Sequence, residues 1–138
     1  NFKILEQLNA LTFYQKSAPK SLGVEFVNSV VFPLLKDETP ENIIATFTEH
    51  IAEQIAKVFN DNQLKTVLGT GGGTFNTYLL EKIREKSQTE LIVPDENIIN
   101  FKEALIFAFM GVLRRRKEGN VLRSATESAE NHRSGILV

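Results

Sequence analysis

The stretch VLGTGGGTFNTYLLEKI, Val67 to Ile83, sets Gly71, Gly72 and Gly73 between an apolar pair and a helix-forming segment. Each glycine adds to the entropy lost on folding, so three in a row need a physical reason. A strand that stops in glycines and restarts as a helix leaves backbone N–H groups free at the positive helix end. Without Cβ atoms that backbone can come close to a phosphate or a nucleotide face. The plainer alternative is a tight left-handed turn with close strand–helix packing, in which Thr74 caps the next helix. Two standard phosphate motifs fail on inspection. The P-loop needs a lysine directly after its glycines, and none follows until Lys82; the dinucleotide fingerprint needs a further glycine where Thr74 or Asn76 stands.

Around this run the sequence predicts an N-terminal helix over Phe2–Ala10, with Leu5, Leu8 and Leu11 on one side. A loop holding Pro19 and Gly23 follows. VEFVNSVVFPLL reads as a second short helix closed near Pro33, with strand left open by its β-branched residues. DETPENIIATFTEHIAEQIAKVFND is a longer helix with Thr39 as N-cap, Pro40 in its first position and Glu41 at its positive end. Its apolar face is Ile44, Phe47, Ile51, Ile55, Val58 and Phe59, and it ends near Asn60. A strand over Lys65–Gly69, a helix with Phe75, Leu79, Leu80 and Ile83 inward, and a strand ended by Pro94 come next. A long helix then runs to Gly119, which takes the C′ position. The order strand, helix, strand, helix specifies an α/β unit with parallel pairing, its two strands the edge of a larger sheet and helices flanking it. The 138 residues suffice for one domain with its own core.

Composition removes several classes. A net charge of −1 gives no bulk attraction to nucleic acid or to an anionic membrane. Cysteine is absent, and His50 and His132 are too few and too far apart for a metal centre. The longest apolar run, Ala104–Leu113, is about half of the ~20 residues a membrane span requires. RRRKEG, from Arg114 to Gly119, suits the negative end of a helix better than a nucleic-acid surface, because no aromatic platform interleaves it. His50, between charged and apolar neighbours, reads as a surface or boundary histidine. The chain opens NFKILEQLNALTFY, without methionine or a leader pattern, and reads as a piece of a longer protein.

The pattern of apolar pair, glycine cluster and helix with an early asparagine resembles the adenosine loop in the second lobe of the actin, Hsp70 and hexokinase superfamily. TGGGTFNTYLLEKI is similar, more specifically, to the GGGxxNxxLmexl segment of anhydro-N-acetylmuramic acid kinases. Three further segments agree in order. Pro19, Lys20, Ser21, Gly23 and Glu25 match that family's PKStGrexF block; Glu103, Ala104, Phe107 and Ala108 match EAlaFAwLa, with Phe109 for its tryptophan; Gly119, Asn120 and Thr126 match gNlpxvTGA. The resemblance implies the C-terminal, helix-rich part of a ribonuclease H-like lobe of the actin/hexokinase type, with a small parallel sheet. It implies a cytoplasmic sugar kinase of cell-wall recycling that uses Mg2+ and ATP to phosphorylate a 1,6-anhydro amino sugar, opening the ring with water.

By the same resemblance, Gly71, Gly72, Gly73 and Asn76 hold the nucleotide, while Glu103, Lys20 and Ser21 face the sugar or phosphate. Each has a structural alternative. With Asn100 as N-cap, Glu103 would stand at N3 of a capping box; Asn76 would bond its own backbone at a helix start; Lys20 would simply be solvated. The family's GTSxDG and DTGPGN blocks, the latter carrying the general base, are missing, so no catalytic residue or metal ligand is assigned and no phosphoryl transfer by this chain alone is expected. Its partner would be the N-terminal lobe of the same protein. Glu127 stands where the family has glycine, a position suited to a special backbone angle. The competing reading is a non-catalytic interaction or regulatory module derived from such a lobe. Apolar surface left by a partial lobe predicts self-association as a homodimer, through the leucine face of Phe2–Ala10.

Overall fold

The computed structural model describes residues 1–17 and 20–136, so Pro19 lies outside the described residues. Two compact units emerge: Asn1–Gly69 with Gly73–Val93, and Thr70–Gly72 with Pro94–Val138.

The first unit opens with α1 (Phe2–Asn9), whose backbone N–H groups of Lys3 and Ile4 donate to the Asn1 side chain. A short α2 (Thr12–Gln15), not foreseen in the sequence, follows. Helix α3 (Val24–Phe26) runs through a π turn (Val27–Val31) into α4 (Phe32–Leu35). The sequence expectation that Pro33 closes this helix is overturned. In the π turn the Phe32 N–H reaches back five residues to Val27 O, and Pro33 then falls in the first turn of α4, where a missing N–H costs little. Helix α5 (Pro40–Asp61) is capped as expected, Thr39 Oγ1 accepting from the Asn42 N–H at 3.3 Å.

Ile4 and Leu8 of α1 meet Val31 and Leu35 in a core flanked by Phe26, Ile43 and Phe47. Leu8 has no exposed surface at all, so that residue of the leucine face is occupied inside the unit, whereas Leu5 and Leu11 are half-buried. On α5 the expected face holds in part, with Phe47, Ile51, Ile55 and Phe59 half-buried. Ile44 and Val58 are exposed, whereas Thr46, Thr48, His50, Ala52 and Ala56 are buried. Small side chains permit the close approach of α5 to α1 and α6, and the polar ones find partners there.

Strands β1 (Thr66–Leu68) and β2 (Glu90–Ile92) pair in parallel, Val67 opposite Leu91, with α6 (Thr77–Lys86) between them in sequence. Leu80 and Ile83 are buried as expected, but Phe75 is exposed. Lys86 at the end of α6 bonds Glu49 (2.5 Å) and Glu53 (3.2 Å) of α5; the Glu49 bond foremost, then Glu53, holds its ammonium above the usual lysine range.

In the second unit α7 (Glu96–Arg115) carries the family-like EALIFAF stretch. Its N-cap is Asp95, accepting from Asn97 and Ile98, so Asn100 does not cap it and Glu103 lies two turns inside the helix. Its end also departs from expectation: Lys117, at φ +63°, takes the C′ position that was assigned to Gly119. Glu118 N–H bonds Leu113 O and Lys117 N–H bonds Arg114 O, which closes a Schellman motif before Gly119 is reached. Ile99 is the only buried hydrophobic of α7; Leu105, Phe107 and Phe109 are each at least 60% exposed. After a short α8 (Arg123–Thr126), Glu127 adopts a left-handed conformation at φ 57° and ψ 17°, and Val121 forms an antiparallel bridge with His132. Among the described residues no helix is long and apolar enough to cross a membrane.

Candidate functional site

The glycines between β1 and α6 answer to different physical demands. A Cβ on Gly69 would meet Leu91 Cδ1 at 3.3 Å and Thr74 Cγ2 at 3.4 Å, so Gly69 is a packing glycine beside the sheet. Gly71 has φ +91°, a conformation that L side chains rarely adopt. Neither reason applies to Gly72 or Gly73. Their φ angles are ordinary, and a Cβ on either would meet no heavy atom within 4 Å. Conformation and packing inside the chain leave these two glycines unexplained.

Gly72–Phe75 forms a 3₁₀ turn that carries the chain into α6. Thr74 lies within that turn, so the expected capping role passes to Asn76. The Asn76 side chain accepts from the Leu79 N–H at 3.0 Å, and its own N–H donates to Gly73 O at 3.1 Å. Asn76 therefore fixes where the glycine turn ends and α6 begins.

The remaining sequence-predicted residues divide between the units. In the first, Lys20 Nζ donates to Phe13 O (3.2 Å) and Tyr14 O (3.4 Å) and stands 5.1 Å from the Phe13 ring centre. Ser21 is exposed, and no hydrogen bond joins either residue to Asn76 among the described residues. In the second unit Glu103 is exposed and forms no hydrogen bond or ion pair among the described residues, which leaves its carboxylate available. No group of three His, Asp or Glu among the described residues is placed to hold a metal ion.

Two features escaped sequence reasoning. Lys102, half-buried on α7, donates from Nζ to Thr70 Oγ1 at 2.7 Å and so joins that helix to the residue that opens the glycine run. The Ile99–Lys102 spacing, one helical turn, marks only the side of α7 on which Lys102 stands and carries no signal for Thr70.

The second is His50, which is 1% exposed and corrects the expectation of a surface or boundary histidine. Its Nδ1 lies 2.7 Å from Asn9 Oδ1 and its Nε2 lies 3.0 Å from the Tyr14 hydroxyl. Asn9 Oδ1 can only accept, which assigns the proton to Nδ1 and leaves Nε2 to accept from Tyr14. Asn9 in turn donates to Glu53 and accepts from Gln54. Burial pushes the His50 pKa down, with the nearby Glu53 charge opposing in part, and burial pushes the Tyr14 hydroxyl up. This is a neutral, structural histidine.

Residues 1–137 match the family model described as anhydro-N-acetylmuramic acid kinase. Similar proteins bearing that name include one from Francisella tularensis subsp. novicida, 29% identical over 89% of this chain and 35% of its own length. Another, from Hahella chejuensis, is 29% identical over 88% of this chain and 35% of its own. A third, from Crocosphaera subtropica, is 33% identical over 81% of this chain and 33% of its own. The chain spans about a third of the length of these curated relatives. With a family match across nearly all of its residues, the chain belongs to the anhydro-N-acetylmuramic acid kinase family.

Proposed function

We propose that this chain supplies the nucleotide-side wall of an ATP-dependent sugar kinase that phosphorylates a 1,6-anhydro amino sugar while opening its ring with water. The observation that carries this reading is the bare backbone at Gly72 and Gly73, which no demand inside the chain explains. Adenosine and the α-phosphate pack against that backbone. Gly71 turns the chain in its left-handed conformation, and Asn76 holds the turn by capping α6. Glu103, with its carboxylate available, receives a hydroxyl of the sugar; Lys20 and Ser21 stand as further contacts for substrate or phosphate.

When bound, ATP supplies the phosphoryl group and Mg2+ neutralises charge developing on it. The described residues offer no acidic cluster for the metal, so holding it is assigned to the phosphates and to residues outside this chain. The general base is likewise assigned to the N-terminal lobe, because the family's DTGPGN block does not occur here. On this view the chain is part of an actin/hexokinase-type lobe, and closure on the other lobe aligns water, sugar and phosphate.

The exposed apolar side of α7 is the feature that favours a non-catalytic interaction module instead. Titration with Mg-ATP separates the two. Saturation at a hundred times Kd stabilises a binding protein by about 2.7 kcal/mol, seen as a raised melting temperature. Gly72→Val should abolish that rise while leaving the ligand-free melting temperature nearly unchanged, since a Cβ there meets no atom within 4 Å. In a longer protein carrying GTSxDG and DTGPGN, the same substitution should abolish phosphorylation of the anhydro sugar. Absence of any nucleotide effect in both proteins contradicts the proposal.

A further inference from the structure

The glycine run lacks the lysine that a P-loop places directly after its glycines, yet the fold brings one to it from 30 positions downstream. Lys102 Nζ lies 2.7 Å from Thr70 Oγ1, and Thr70 directly precedes Gly71; Thr70, Gly71, Gly72 and Lys102 all belong to the second unit. Lysine ammonium groups ordinarily extend into water or pair with carboxylates. This one bonds a hydroxyl instead of a carboxylate. Its side chain is half-buried, no carboxylate among the described residues forms an ion pair with it, and its one hydrogen-bond acceptor is a neutral hydroxyl. An anionic oxygen adds a charge–charge attraction that a neutral hydroxyl does not give such a donor. Beside it, the space that a Cβ on Gly72 would take is filled by no side chain among the described residues.

We propose that Lys102 binds a phosphate oxygen of the nucleotide that docks on Gly71 and Gly72, its bond to Thr70 being the resting position of the ammonium. This rests on the nucleotide-wall reading, and adds to it the group that distinguishes a charged nucleotide from an uncharged nucleoside. The bond to Thr70 keeps the ammonium beside the loop before the ligand arrives, which lowers the ordering cost of binding. Arginine would preserve the charge but not the compact three-donor head.

Isothermal titration of the chain with Mg-ATP and, separately, with adenosine tests this. Lys102→Met should weaken Mg-ATP by about tenfold or more, the scale of one charge-assisted hydrogen bond, and leave adenosine unchanged. Lys102→Arg should retain part of the preference for Mg-ATP. Thr70→Val should keep Mg-ATP affinity at the wild-type level or above, since it removes only a competitor for the ammonium. Two results overturn the proposal while sparing the nucleotide wall. One is Lys102→Met binding Mg-ATP as wild type does; the other is Lys102→Met and Thr70→Val weakening both ligands alike, as loss of a purely structural strap would. If neither ligand binds wild type, the nucleotide wall falls and the role of Lys102 with it.

Discussion

Helices α5 and α7 are similar in length, 22 and 20 residues, yet bury opposite kinds of side chain. On α5 two threonines, a histidine and two alanines are buried while Ile44 and Val58 face water; on α7 a run of leucine, isoleucine and phenylalanine is exposed and Ile99 is buried. The difference teaches that hydropathy alone does not select the inward side of a helix. Polar groups can be buried when each finds a partner, and His50 finds two, in Asn9 and Tyr14. No buried side-chain nitrogen or oxygen among the described residues is left without a hydrogen bond. Apolar groups gain from burial only where a neighbour reaches them.

The contrast can be broken most sharply by truncation. Leu8→Ala, in the core between α1 and α5, should cost about 2–5 kcal/mol in a denaturation midpoint, because it opens a cavity at a site with no exposure. Phe107→Ala on α7 should stay within about 0.5 kcal/mol, since its ring is 68% exposed. Equal losses at the two sites would erase the distinction.

Next in size is the polar interior of α5. His50→Ala should cost about 1–3 kcal/mol, because the half-buried Tyr14 hydroxyl loses its acceptor while Asn9 Oδ1 keeps its bond from Gln54. The pH dependence has a definite sign. Burial lowers the folded pKa of His50, so the unfolded chain binds the extra proton more readily. The contribution of neutral His50 is fully present above the ordinary histidine value of about 6.5 and is lost as pH falls through the lower folded value. Urea midpoints measured from pH 7.5 down to pH 5 should fall in wild type and fall less in His50→Gln.

A smaller effect separates glycines that stand three residues apart or less. Gly71→Ala should cost about 1–2 kcal/mol, because φ +91° is strained for any L side chain. Gly72→Ala should be neutral or stabilise by about 0.4–1 kcal/mol, since nothing crowds its Cβ and the unfolded chain loses freedom. Smallest of all, Lys117→Gly and Glu127→Gly should each stabilise by about 0.5 kcal/mol, glycine removing left-handed strain and returning some unfolded-state entropy.

Much of this was legible in the sequence where the signal is local. Thr39–Pro40–Glu41 marked the start of α5, and the alternation of strand, glycine run, helix and strand marked the parallel pair β1–β2. Glu127 was singled out because it replaced a glycine, and its φ of 57° shows the backbone angle that glycine serves. What failed was decided by distant residues or by neighbouring hydrogen bonds. Pro33 was overruled by a π turn, Thr74 by a 3₁₀ turn and Gly119 by a Schellman motif that closes on Lys117. The inward side of α5 depended on Asn9 and Tyr14, about 40 residues away. In the candidate site, the glycines and Asn76 could be named from the likeness of TGGGTFNTYLLEKI to the family's glycine segment. Lys102 could not, because nothing local ties position 102 to Thr70.

Nitrogen-15 chemical-shift mapping of the chain during titration with Mg-ATP, and in parallel with adenosine, addresses the bare backbone directly. Saturable shifts at the amides of Gly71, Gly72 and Gly73 with both ligands, lost in Gly72→Val, are the predicted outcome. Saturable binding that leaves those three amides unmoved and perturbs residues elsewhere would contradict it.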